Sequence, residues 1–92
     1  MSSSSELLVE RMVRLPDGVP LHARPAGALV RAAATFQADV VVCVDGRRAN
    51  AKSILDVLAL GAEAGTELVI VASGEDAVAA AEHLASLVVG LT

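Results

Sequence analysis

His22, Arg24 and Pro25 stand together in Leu21-His22-Ala23-Arg24-Pro25-Ala26, at the point where a helical pattern begins. A helix start leaves backbone N–H groups without intrahelical partners and carries a partial positive charge, so it favours a bound anion. A neutral imidazole at that place has a lone pair able to take a phosphoryl group and pass it on. Arg24, in the first turn, opposes the helix macrodipole unless an anion is present. Two readings stay open for it: a phosphate contact, or a plain ion pair with a carboxylate such as Asp17. Pro25 is tolerated in the first turn and leaves the N–H groups of Ala23 and Arg24 for the anion.

Lys52-Ser53 forms the second constellation. Ser53 is an ordinary N-cap in one reading and a regulated phosphorylation site in the other, since phosphate is tolerated electrostatically at a helix start. Ile54, Leu55 and Leu58 follow, and one or two of them are expected to face solvent as an apolar docking patch. His83 reads as a solvated histidine. With no second ligand at helical spacing, neither histidine suggests a metal site, and no cofactor is expected. The scattered Asp and Glu residues offer no general acid–base pair, and no phosphate-binding glycine motif occurs.

These residues need elements to hold them. Residues 7–15 mix apolar side chains with Glu10, Arg11 and Arg14, which predicts a partly exposed strand. Pro16-Asp17-Gly18-Val19-Pro20 is loop chemistry. From Ala23, Ala26, Leu29, Val30 and Ala33 follow i, i+3, i+4, i+7 spacing, with Arg24, Arg31 and Thr35 opposite. Asp39 leads into a strand at residues 40–44, Asp45-Gly46 signals a hairpin turn, and residues 47–50 return. Ser53 caps a helix over residues 54–60, which Gly61 ends in a left-handed conformation. Gly65 marks a loop before a strand at residues 67–72. Ser73-Gly74-Glu75-Asp76 resembles a capping box opening a last helix with a stripe of Ala77, Val78, Ala81, Leu84, Ala85 and Val88. The order β-α-β-β-α-β-α, with one-sided helices over a mainly antiparallel sheet, predicts an α+β two-layer domain.

The 92 residues suit one small domain, with residues 1–6 as a flexible lead-in and 7–92 as the domain. Phe36 is the one aromatic residue and the net charge is −4, which argues against nucleic-acid binding. Cys43 is alone among valines, predicting a buried small hydrophobe in a reduced compartment. The N-terminus does not read as a secretory signal and no apolar run is long enough to span a bilayer. A cytoplasmic monomer without membrane insertion is expected.

The segment from Leu21 to Ala26 resembles the active-site segment of the HPr family, the histidine-containing phosphocarriers of the bacterial phosphoenolpyruvate-dependent sugar phosphotransferase system. Lys52-Ser53-Ile54-Leu55-Asp56-Val57-Leu58-Ala59-Leu60-Gly61 resembles that family's serine segment, at a family-like separation. The resemblance extends over about residues 7–90 and implies an open-faced β-sandwich, a four-stranded sheet with three helices on one side. It further implies that His22 accepts phosphoryl from Enzyme I through Nδ1 and donates it to sugar-specific IIA domains, with Arg24 steadying the charge. Such a protein is a stoichiometric carrier, not a turnover enzyme. Ser53 would match the serine modified by HPr kinase/phosphorylase in carbon catabolite regulation, and Ile54, Leu55 and Leu58 the partner-docking surface. One departure stands out: Pro20 takes the place of a family glycine two residues before the histidine, as if Val19-Pro20 were inserted. Proline fixes φ and has no N–H, so the loop under His22 is expected to differ. Two other readings remain, a regulatory, nitrogen-branch-like paralogue and a non-covalent ferredoxin-like binding module.

Overall fold

The computed structural model describes residues 8–92. The lead-in expected at residues 1–6, and Leu7, lie outside them. The elements follow the expected order: β1 Leu8–Arg14, α1 Ala23–Ala34, β2 Asp39–Val44, β3 Arg47–Asn50, α2 Ile54–Ala59, β4 Glu67–Ser73 and α3 Ala77–Val89. Boundaries move by a residue or two. Leu15 lies past β1, Asp39 and Ser73 join their strands, and Leu60 caps α2 instead of belonging to it.

The four strands form one antiparallel sheet in the order β1-β4-β2-β3. β1 runs beside β4 from Leu8 opposite Ser73 to Arg14 opposite Glu67, and β4 pairs β2 with Val42 opposite Ile70. The β2–β3 hairpin turns at Asp45 and Gly46, with φ of 50° and 78°. A two-residue turn of that hand matches the twist of its flanking strands, and Asp-Gly adopts it readily.

Strand side chains alternate between the faces. Val9, Val13, Val40, Val42, Leu68, Ile70 and Ala72 point to the helices and are buried. α3 packs across β1, β4 and β2, while α1 packs on α2 and α3. Among the described residues no helix covers the other face, the open face of the sandwich, where Leu8 and Met12 are exposed. Cys43 belongs to this open face, opposite Val69 and Arg48, and is half-buried. The expectation of a buried thiol is thus corrected. An unbroken apolar strand does not say which of its alternate positions is covered.

α1 buries Ala26, Leu29 and Ala33 and half-buries Val30, as its spacing predicted. α3 needs two corrections. Val78 is exposed and Ala80 is buried in its place, because an alanine-rich helix offers little contrast between its faces. The expected capping box does not form: Asp76 is the N-cap residue but makes no cap hydrogen bond with its side chain. Its carboxylate instead accepts from the N–H groups of Gln37 (2.9 Å) and Ala38 (2.7 Å), tying α3 to the segment before β2. Among the described residues no helix is long and apolar enough to cross a membrane.

Candidate functional site

Leu21 and Leu15 hold the loop that carries His22. Both are buried, and their N–H groups donate to Ala62 and Thr66 (each 2.9 Å) in the α2–β4 connection. Arg14 Nε adds a bond to Gly65 O at 3.0 Å. Between the two leucines the chain makes two turns. Val19 N–H returns to Pro16 O, with Gly18 at φ 79°, and His22 N–H donates to Pro20 O at 2.9 Å. The first turn needs the left-handed conformation that glycine adopts without strain. The proline-bearing loop is therefore closed on itself and fixed to a neighbouring loop at both ends.

His22 is the N-cap residue of α1, in extended backbone at φ −86° and ψ −169°. Its carbonyl accepts from Ala26 N at 2.8 Å, the first bond of the helix. His22 is exposed and its side chain makes no capping hydrogen bond, which leaves the imidazole accessible. Ala23 and Arg24 occupy the first turn, where their N–H groups have no intrahelical acceptor. Pro25 has none to offer. Two amide donors and the positive helix end thus belong to the turn that directly follows an exposed histidine. Arg24 is exposed and makes no ion pair with Asp17; among the described residues the salt bridge is Arg11–Glu82 at 3.4 Å. The pairing alternative for Arg24 is not what the fold adopts.

Gly27 gains a meaning that its sequence position did not disclose. A Cβ there would come within 3.2 Å of the Arg31 guanidinium. The glycine leaves room for Arg31 to lie back along α1 toward its start, the direction helical side chains take.

Ser53 is the N-cap of α2, and its Oγ accepts from Asp56 N at 3.2 Å. Ile54, Leu55 and Leu58 are all exposed, Leu55 most at 76%, so the apolar patch is broader than the one or two residues expected. Val57, on the opposite side, is buried. Gly61 follows α2 at φ 60°. Lys52 Nζ donates to Phe36 O at 2.9 Å, and the Phe36 ring stacks at a tilt on exposed His83, with centroids 5.6 Å apart. Among the described residues no group of three or more His, Cys, Asp or Glu side chains could hold a metal ion.

An exposed histidine thus caps the first helix of an open-faced sandwich with the strand order β1-β4-β2-β3. A family model for the PTS HPr component phosphorylation site matches residues 9–89. The phosphocarrier protein HPr of Streptomyces coelicolor is 45% identical over 82 residues, 88% of either chain. The crystal structure of HPr from Bacillus anthracis superposes with a TM-score of 0.84 at 37% identity, covering 88% of this chain and 96% of that one. The Bacillus subtilis catabolite repression protein Crh, whose crystal structure shows a dimer with a swapping domain, has a TM-score of 0.70 at 43% identity over 83% of this chain and 85% of its own. The chain belongs to the HPr family of phosphocarrier proteins.

Proposed function

We propose that this protein carries a phosphoryl group on His22, received from phosphoenolpyruvate by way of Enzyme I and delivered to sugar-specific IIA domains. The observation that carries the reading is the exposed imidazole at the α1 N-cap, beside the unengaged first-turn N–H groups of Ala23 and Arg24. In the transfer, Nδ1 forms a bond to phosphorus as the bond from phosphorus to the donor breaks. The resulting dianion lies against the two amides, and Arg24 swings in to share its charge. The partner supplies the rest of the machinery. A shallow, open seat suits a carrier, because a phosphoryl group held too tightly would not leave.

Ile54, Leu55 and Leu58 form the docking surface for Enzyme I and the IIA domains. Ser53 is the acceptor for an ATP-dependent HPr kinase, and phosphate beside that apolar patch weakens docking by charge and desolvation. The protein works as a cytoplasmic monomer, with residues 7–92 as its single functional domain and no resident cofactor.

The likeness to Crh favours a second reading, a regulatory paralogue in the same family not coupled to sugar uptake. Family membership leaves no support for the ferredoxin-like binding module. The test is incubation with phosphoenolpyruvate and the cognate Enzyme I, followed by intact-mass measurement. One acid-labile phosphoryl is expected, absent in His22→Ala. No gain with a competent enzyme sinks the carrier reading, while gain without onward transfer to any cognate IIA domain selects the regulatory paralogue.

A further inference from the structure

We propose that Asp56 is an electrostatic brake on modification of Ser53, so that a phosphoryl group there loosens the β3–α2 junction instead of firming it. The inference rests on Ser53 being the regulated serine, and it names the residue that sets the cost of regulation.

Four hydrogen bonds knit the end of β3 to the start of α2. Ser53 N–H donates to Asn50 O (2.9 Å) and Lys52 N–H to Asn50 Oδ1 (3.0 Å). Asp56 N–H donates to Ser53 Oγ (3.2 Å), and Asn50 N–H donates to Asp56 Oδ2 (3.3 Å). The Asp56 carboxylate and the Ser53 hydroxyl therefore belong to one network, with the carboxylate already the anion of the first turn. α2 has six residues, so its macrodipole has little left to offer a second, larger anion.

A phosphoryl group on Oγ adds about −1.5 to −2 charges. Beside a carboxylate that charge repels, even in an exposed setting. Relief comes when Asp56 leaves Asn50 N–H or when the modified Ser53 leaves Asp56 N–H. Either movement removes one bond of the four. The adjacent Lys52 ammonium, which donates to Phe36 O at 2.9 Å, keeps its charge and offsets only part of this repulsion.

A double-mutant cycle on the full chain tests the brake without a kinase. Ser53→Glu, Asp56→Asn and the double variant are compared by urea unfolding; Asn keeps an oxygen for Asn50 N–H and loses the charge. Ser53→Glu should lower the folding equilibrium constant about three- to fivefold more with Asp56 present than with Asn there. That excess should shrink as sodium chloride rises from about 0.02 M to about 0.5 M. Additive effects, or an excess indifferent to salt, would overturn the brake. In a second arm, ATP and an HPr kinase active on a reference HPr should place acid-stable phosphate on Asp56→Asn about threefold faster than on the unmodified sequence. Equal rates overturn the brake alone. Phosphate on neither protein overturns the Ser53 reading, and the brake's regulatory role with it.

Discussion

On the proposed function, Arg24 acts with opposite sign in the two states of the site. With no anion bound, its guanidinium sits in the first turn of α1, where a cation opposes the macrodipole and no carboxylate among the described residues pairs with it. Arg24→Ala should therefore leave the free protein as stable or more stable, by up to about 1 kcal/mol, in urea unfolding. The same change should slow phosphoryl acceptance about tenfold, because a hydrogen bond to a charged group contributes about 1.5–3 kcal/mol. Faster unfolding together with unchanged transfer would contradict this assignment. Asp76 shows the reverse economy, a carboxylate committed to structure. The Gln37 N–H lowers its pKa below the ordinary 3.8, with further help from the Ala38 N–H and the nearby Lys52 and some opposition from desolvation. A depressed carboxylate stabilises the fold fully above its unfolded pKa and loses that contribution as pH falls through the folded value. Asp76→Asn should lower the melting temperature at pH 7, and the gap to the unmodified protein should close as pH drops below about 3.8.

At the scale of elements, the connection from Leu15 to His22 is what positions the histidine. Its two turns and its bonds to Ala62 and Thr66 make a rigid platform where a loose insertion would blur the histidine's position. Pro20 contributes twice, by a fixed φ and by the carbonyl that accepts His22 N–H. Pro20→Gly keeps the carbonyl but frees the backbone. It should cost about 1 kcal/mol of stability through unfolded-state entropy and also slow acceptance from Enzyme I. Pro20→Ala should fall between the two proteins on both measures, read by urea unfolding and rapid-quench transfer. An accelerated transfer in Pro20→Gly would show that the platform hinders the histidine.

At the scale of the molecule, the sheet separates two environments. Its covered face and the helices share a core of Val, Leu, Ile and Ala, whereas the other face leaves Met12 67% exposed. Leu84→Ala, in the centre of α3 and fully buried, should cost about 2–5 kcal/mol in denaturant unfolding. Met12→Ala should change stability by less than about 0.5 kcal/mol. Domains of this size are stable by about 5–15 kcal/mol, so the first change approaches the limit of folding and the second does not register. Similar penalties at both positions would mean that the open face is covered in solution, and light scattering would then report a mass above that of the expected monomer.

Local signals in the chain specified a good deal of this. The spacing of Ala26, Leu29 and Ala33 set the inward face of α1, Asp45-Gly46 set the hairpin, and the runs around His22 and Ser53 pointed to the family and to the two sites proposed above. Each depends on neighbours within about four residues, the range over which helix faces, turns and caps are decided. Other features required distant partners. The Asp76 carboxylate had a capping role available on its own helix, yet two N–H groups before β2 hold it, because the fold brings them within 3 Å. Residues 40–44 and the alanines of α3 lack the polar contrast that would assign their faces, so only the stacking of helices on one side of the sheet left Cys43 half-buried on the open face and Val78 exposed. The seat beneath His22 is likewise set by Ala62, a residue remote in sequence whose carbonyl accepts from Leu21 N–H in a sheet where β4 lies between β1 and β2.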